Sequence, residues 1–333
     1  MNRSFPLMQS SWQTELAESF TRVSDLLSFL ELDPTALPPT AAAAELFPFR
    51  VTRAYAQRIE KRHIDDPLLR QVLPLPAECL DAEGFSADPV GDLAALTQPG
   101  LLHKYQGRVL LITTGACAIH CRYCFRREFP YQSQQLARSR EETALEAIAR
   151  DDAIHEVILS GGDPLVLSND RLGELVRSVA AIPHVRRLRF HTRLPVVLPS
   201  RVDTDCLAWL RATRLRLVMV IHANHAREID RDVKNALLAL RDAGVTLLNQ
   251  AVLLRGVNDD AESLARLSEQ LFDAQVLPYY LHLLDRARGT AHFEVDEGRA
   301  LVLMRELQRR LPGYLVPRLV RETAGAAHKL AVY

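Results

Sequence analysis

From position 108 onward, short apolar runs rich in β-branched residues alternate with amphipathic stretches. The runs at 109–113, 156–160, 187–191, 215–221, 245–252 and 277–283 read as strands. Helical spacing fills 138–150, 169–181, 202–212, 229–243, 260–273 and 296–310. From the second strand on, strand starts recur roughly every 30 residues, the length of one βα unit. Six units in a row predict a parallel sheet with right-handed crossovers, either flat and doubly wound or curved into a partial barrel. Residues 1–105 read as irregular and helical. A helix is expected over 16–30, stopped by Pro34, Pro38 and Pro39, and another over 51–62, while 66–100 reads mostly as loop.

Composition narrows the classes. Lys+Arg and Asp+Glu both number 41, so the broad attraction of a nucleic-acid or membrane-surface binder is missing. Residues 1–11 hold no secretory h-region, and no apolar run approaches the ~20 residues of a membrane span. The expectation is a cytoplasmic protein with no nucleic-acid and no membrane partner. Only Lys61, Lys104, Lys234 and Lys329 are lysines, which leaves few positions for chemistry that needs a primary amine.

Three of the five cysteines fall in Cys117-Ala-Ile-His-Cys121-Arg-Tyr-Cys124, just after the first strand of the repeat. Disulfides do not suit a chain without an export signal. A redox pair would leave Cys117 idle, and structural zinc wants a fourth ligand at matching spacing. A c-type haem motif needs histidine where Phe125 stands. Three thiolates on one loop suit a [4Fe-4S] cluster with one iron left open. Cys79 and Cys206 fit no such spacing and read as ordinary thiols. Further polar residues mark the strand ends: Gly161-Gly162-Asp163, His191-Thr192-Arg193, His222, Asn249-Gln250, His282 and Asp285. Active sites of α/β proteins form at these carboxyl ends. The two glycines allow close approach of a ligand, and Asp163 suits a helix cap.

The C-x3-C-x2-C spacing on such a loop resembles the radical S-adenosylmethionine superfamily, in which the open iron binds S-adenosylmethionine. The wider text is similar to the lysine 2,3-aminomutase family. The matches include Cys121-Arg-Tyr-Cys124-Phe-Arg-Arg127, Glu83-Gly-Phe85, Leu194-Pro-Val-Val-Leu-Pro199 and Leu253-Leu-Arg-Gly-Val-Asn-Asp259. Gly100-Leu-Leu-His-Lys-Tyr105 and Pro278-Tyr-Tyr-Leu-His282 look like the branch that makes (R)-β-lysine for elongation factor P.

The resemblance implies a partial (βα)6 TIM-like barrel over 106–312, an N-terminal helical extension over 1–105, and a C-terminal segment over 313–333. It implies an isomerase that converts L-lysine to β-lysine with a [4Fe-4S] cluster, S-adenosyl-L-methionine and pyridoxal 5′-phosphate. Cys117, Cys121 and Cys124 become the cluster ligands, and Lys329 becomes the pyridoxal Schiff-base lysine. Gly161, Gly162 and Asp163 lie against the methionyl group. His222, Gln250, Lys104, Tyr105 and Arg108 fall in cofactor-binding positions. Arg126 takes the substrate carboxylate, and Asp285 and Glu322 take its distal ammonium. Glu322 departs from the aspartate typical of the catabolic enzymes, and the run before Lys329 keeps a single glycine, Gly325. The chain also lacks the catabolic tail after Lys329, so the oligomeric state stays open. The implied partners are a flavodoxin- or ferredoxin-type reductant and, downstream, elongation factor P with its lysyl ligase. An aminomutase for another amino acid, or a catabolic one, is the alternative. An RNA-modifying radical enzyme is a remoter one that the neutral charge disfavours.

Overall fold

The computed structural model describes residues 11–36 and 40–333. Pro38 and Pro39, and the segment 1–10 read above as lacking a signal, lie outside them.

Ten strands form one sheet in chain order: β1 Leu96–Gln98, β2 Leu101–Tyr105, β3 Arg108–Thr114, β4 Glu156–Gly161, β5 Arg187–Thr192, β6 Arg216–Ile221, β7 Thr246–Val252, β8 Leu277–His282, β9 Arg318–Arg321 and β10 Leu330–Ala331. Neighbours from β3 to β9 run parallel. An antiparallel hairpin flanks them at each end. The six strands read from periodicity are β3 to β8. The other four are two to five residues long. Two of them lie in the region expected to be irregular and helical.

Local chemistry starts the barrel helices where the periodicity places them. Ser168, Asp203, Asp230, Asp260 and Asp296 each accept a backbone N–H of the first turn. Such a cap contributes ~1 kcal/mol. The helix Ala261–Asp273 then buries Leu264, Leu267 and Leu271 against the sheet, each contributing ~1.5–3 kcal/mol. The N-terminal expectation fares less well. The helix expected over 16–30 is two, Trp12–Ala17 and Val23–Phe29, because Phe20 leaves helical geometry to bridge Val51. Over 51–62 only Arg53–Ala56 is helical.

The sheet is curved. Lys104 on β2 reaches Glu322, just past β9, at 3.1 Å. In a flat sheet those strands would stand roughly 34 Å apart. No pairing among the described residues closes β1 onto β10, so this is an open, partial barrel. Alternation along β7 shows its two faces: Leu247, Asn249 and Ala251 are buried, while Gln250 and Val252 line a cavity inside the curve.

Candidate active site

The cavity measures about 550 Å³. Every residue to which the resemblance assigns a site role lines it: Lys104, Tyr105, Arg108, Cys117, Cys121, Cys124, Arg126, Gly161, Gly162, Asp163, His222, Gln250, Asp285, Glu322 and Lys329; the strand-end Asn249 does not and bonds Ala223 instead. Lys61 and Lys234 stay outside, as do the exposed Cys79 and the buried Cys206. His225 does not join His222; its ring caps the turn Ala226–Glu228.

The cysteine loop is seated from both sides. Gly162 N–H donates to Thr114 O at 2.7 Å and Asp163 N–H to Ala116 O at 2.9 Å. A Cβ at Gly161 would sit 2.4 Å from Thr114 O, and one at Gly162 2.3 Å from Ala116 O. Gly161 also holds φ at +127°, a conformation open to glycine. The glycines are therefore needed for the approach of the cysteine loop's own backbone. Asp163 spends both carboxylate oxygens on protein donors: Leu165 N, Thr192 Oγ1, Arg193 N and Leu194 N. It ties β4 to β5, and burial still pushes its carboxyl up to about 6.

From the other side, Arg122 is fully buried and pairs with Glu78 at 2.5 Å. It also donates to the carbonyls of Ala43, Phe47 and Pro48. Arg127 joins the same carboxylate at 2.8 Å. The N-terminal extension thus clamps the loop that carries the thiols. Cys117, Cys121 and Cys124 remain half-buried, unbridged and facing the cavity. Burial pushes the Cys117 thiol up, and pushes that of Cys124 up to about 11, each aided by a neighbouring cysteine. Crowded thiols that resist ionising alone suit an iron cluster, whose charge removes that penalty.

The strand ends supply neutral and cationic groups. Gln250 Nε2 lies 2.6 Å from His222 Nε2. Burial, with the Arg193 and Lys329 charges, pushes His222 down to about 3, so its ring is neutral. The buried Nε2 atoms of His191 and His282 have no protein partner and belong to rings that line the cavity.

The acids and lysines line the same cavity. Asp92 is buried and binds Arg126 at 2.6 Å and Lys104 at 2.5 Å. Arg126 also donates to Ser160 Oγ at 3.1 Å. Glu322 accepts from both Lys104 and Lys329. Burial opposes its ionisation, yet the two ammonium groups hold its carboxyl down to about 2. Arg108 lies 4.6 Å from the Tyr105 ring centroid. Asp285 differs from the other acids. Among the described residues no ion pair or hydrogen bond reaches its carboxylate, and burial, then the Glu322 charge, pushes it up to about 7. An unpaired carboxylate facing a cavity is a receptor for a cation.

Comparison with known proteins gives the family. Residues 111–268 fit the model of the radical SAM superfamily. The chain is 47% identical over 322 residues to an L-lysine 2,3-aminomutase of Escherichia coli (strain K12), covering 96% of this chain and 94% of that one. It is 44% identical over 321 residues to the Haemophilus influenzae protein of the same name, covering 96% and 95%. An L-lysine 2,3-aminomutase of Acetoanaerobium sticklandii is 31% identical over 324 residues, covering 97% of this chain and 78% of that one. The chain belongs to the L-lysine 2,3-aminomutase family.

Membership makes the chain an isomerase that uses a [4Fe-4S] cluster and S-adenosylmethionine, and of the two sheets the βα repeat allowed, the partial barrel that the resemblance implied is the observed fold. No helix among the described residues is long and apolar enough to cross a membrane. Sequence reasoning passed over several residues on which this family member's site rests: Gln71, Glu78, Asp92, Arg122 and Glu228. Each acts through a partner distant in sequence, and even Arg122, inside the Cys121–Cys124 motif, was given no role of its own. Arg193 was visible as a polar strand-end residue, without a role.

Proposed function

We propose that this protein moves the amino group of L-α-lysine from C2 to C3 to give (R)-β-lysine, with pyridoxal 5′-phosphate as its second organic cofactor. The observation that carries the reading is the set of groups gathered in one cavity. Its lining brings together three thiols, the Gly161–Asp163 turn, Lys329 paired with Glu322, and the unpaired Asp285. The names of the relatives agree with it.

Cys117, Cys121 and Cys124 would hold the cluster, beside the backbone of Gly161 and Gly162. Lys329 is the amine to which pyridoxal would attach. Its side chain is 19% exposed and fixed by Glu322. We assign Lys104, Tyr105 and Arg108, which line the cavity, to its phosphate; the Lys104 ammonium is already held by Asp92, Glu322 and the Val90 carbonyl. The ring nitrogens of His191 and His282, buried without a hydrogen-bond partner among the described residues, support a polar guest in the cavity. When bound, pyridoxal supplies a conjugated ring over which an unpaired electron on the substrate is spread. Arg126 offers a planar fork to the substrate carboxylate, held in orientation by Asp92 and Ser160. Asp285 receives the distal ammonium. Its raised pKa means that an arriving cation displaces a proton and converts a costly buried acid into an ion pair. Glu322 is the second acid of that end, already shared by Lys104 and Lys329. His222 and Gln250 present a neutral hydrogen-bonding edge to the cofactors.

The resemblance of the 100–105 and 278–282 segments to the elongation factor P branch supports a biosynthetic destination. There the β-lysine passes to a separate ligase, in a reducing cytoplasm, with a flavodoxin or ferredoxin as electron donor. The test is anaerobic incubation of the reconstituted protein with L-lysine, S-adenosylmethionine, pyridoxal phosphate and a reductant. Chiral chromatography should give (R)-β-lysine, and borohydride should trap pyridoxal on Lys329. Iron-loaded protein that cleaves S-adenosylmethionine yet makes no β-lysine would move the assignment to another amino acid.

A further inference from the structure

Arg193 directly follows β5, and its side chain is 6% exposed. Its Nη1 donates to Cys121 Sγ at 2.7 Å. Its Nη2 donates to Gln71 Oε1 at 2.7 Å and to Glu228 Oε2 at 2.8 Å. The rings of Tyr55 and Tyr123 face the guanidinium, with centroids 5.4 and 5.7 Å from it. Glu228 is fully buried and is held in turn by Asn224 N, His225 N and Gln71 Nε2. The network therefore fixes one cation against a thiol expected to bind iron, and one anion behind that cation. Such an arrangement is costly in the interior: both Nη atoms are bonded while the buried Nε has no partner among the described residues, and loop placement does not require it, since Arg122 and Glu78 already anchor the loop.

We propose that Arg193 is a positioning residue that raises the reduction potential of the cluster bound through Cys121, with Glu228 setting the counterweight. Adding an electron makes a thiolate-ligated cluster one charge more negative. A permanent positive donor on a ligand sulfur stabilises that reduced state. Arginine suits the task because it stays charged when buried. The carboxylate behind it acts in the opposite sense. The electron itself comes from a low-potential one-electron donor such as a flavodoxin or ferredoxin.

The inference rests on the three-cysteine cluster reading. The test is a redox titration of the full-length, anaerobically reconstituted protein, following the reduced cluster by EPR, with iron and sulfide measured in the same samples. Arg193→Gln should shift the midpoint downward, Arg193→Lys less so, and Glu228→Gln upward. A merely structural role would not produce opposite signs. An unchanged or raised midpoint in iron-replete Arg193→Gln overturns the proposal. Should that variant not retain iron, Glu228→Gln decides alone, and an unchanged or lowered midpoint overturns it. A wild-type chain that binds no iron would instead defeat the cluster reading.

Discussion

Asp285→Asn should make the ligand-free protein more stable while crippling its recognition of lysine. The carboxyl is raised from an ordinary 3.8 to about 7 by burial and by Glu322. A raised acid in the folded state contributes stability below its unfolded pKa, and that stability is lost as pH rises through the folded value. The shift corresponds to a penalty of about 4 kcal/mol above pH 7. Because Asp285 faces a cavity open to water, screening makes that an upper bound, and roughly 1–3 kcal/mol is the expected gain on neutralisation. By about pH 4 the folded wild-type carboxyl is protonated and the unfolded one is roughly 40% protonated, so the advantage of asparagine should fall to well under ~1 kcal/mol there. The assay is thermal or urea unfolding of wild type and variant at matched pH values between 8 and 4. Function should move the other way. Removing one partner of a buried ammonium–carboxylate pair costs ~2–5 kcal/mol, or roughly 30-fold to several-thousand-fold in kcat/KM for lysine. An uncharged straight-chain amino acid should lose its disadvantage in the variant. Wild-type lysine turnover, or a stability change that is the same at pH 8 and pH 4, would refute the ammonium-receptor reading.

Arg122→Met removes one of the two arginine partners of buried Glu78 and takes a guanidinium donor from three backbone carbonyls. It should cost ~3–5 kcal/mol in urea unfolding and lower iron retention, whereas a wild-type midpoint would disprove the clamp. Gly162→Ala places a methyl 2.3 Å from Ala116 O; reconstituted protein should lose the charge-transfer absorbance of bound iron while keeping its far-UV dichroism. His222, depressed to about 3, should show no imidazole titration by NMR between roughly pH 5 and pH 8, and a midpoint near 6.5 would contradict the burial argument.

What the sequence alone determined here is local. The apolar period of β3 to β8 and of the helices between them is legible because side-chain direction repeats within a few residues. The caps Ser168, Asp203, Asp230, Asp260 and Asp296 stand one residue before the turns they serve. The three cysteines are equally local, since ligands on one loop must follow one another closely. The tertiary structure decided the rest. Strands β1, β2, β9 and β10 exist by pairing, and stretches this short carry no period of their own. Gly161 and Gly162 were visible as glycines, but their need comes from carbonyls at Thr114 and Ala116 in the cysteine loop. Asp92 holds Arg126 from 34 positions away, and Glu228 meets Gln71 across 157. Such partners find each other only in the folded chain, because Coulomb and hydrogen-bond forces act over ångströms of space and leave no spacing along the sequence. Curvature of the sheet brings Lys104 to Glu322 and gathers Lys329 and the thiols into one cavity.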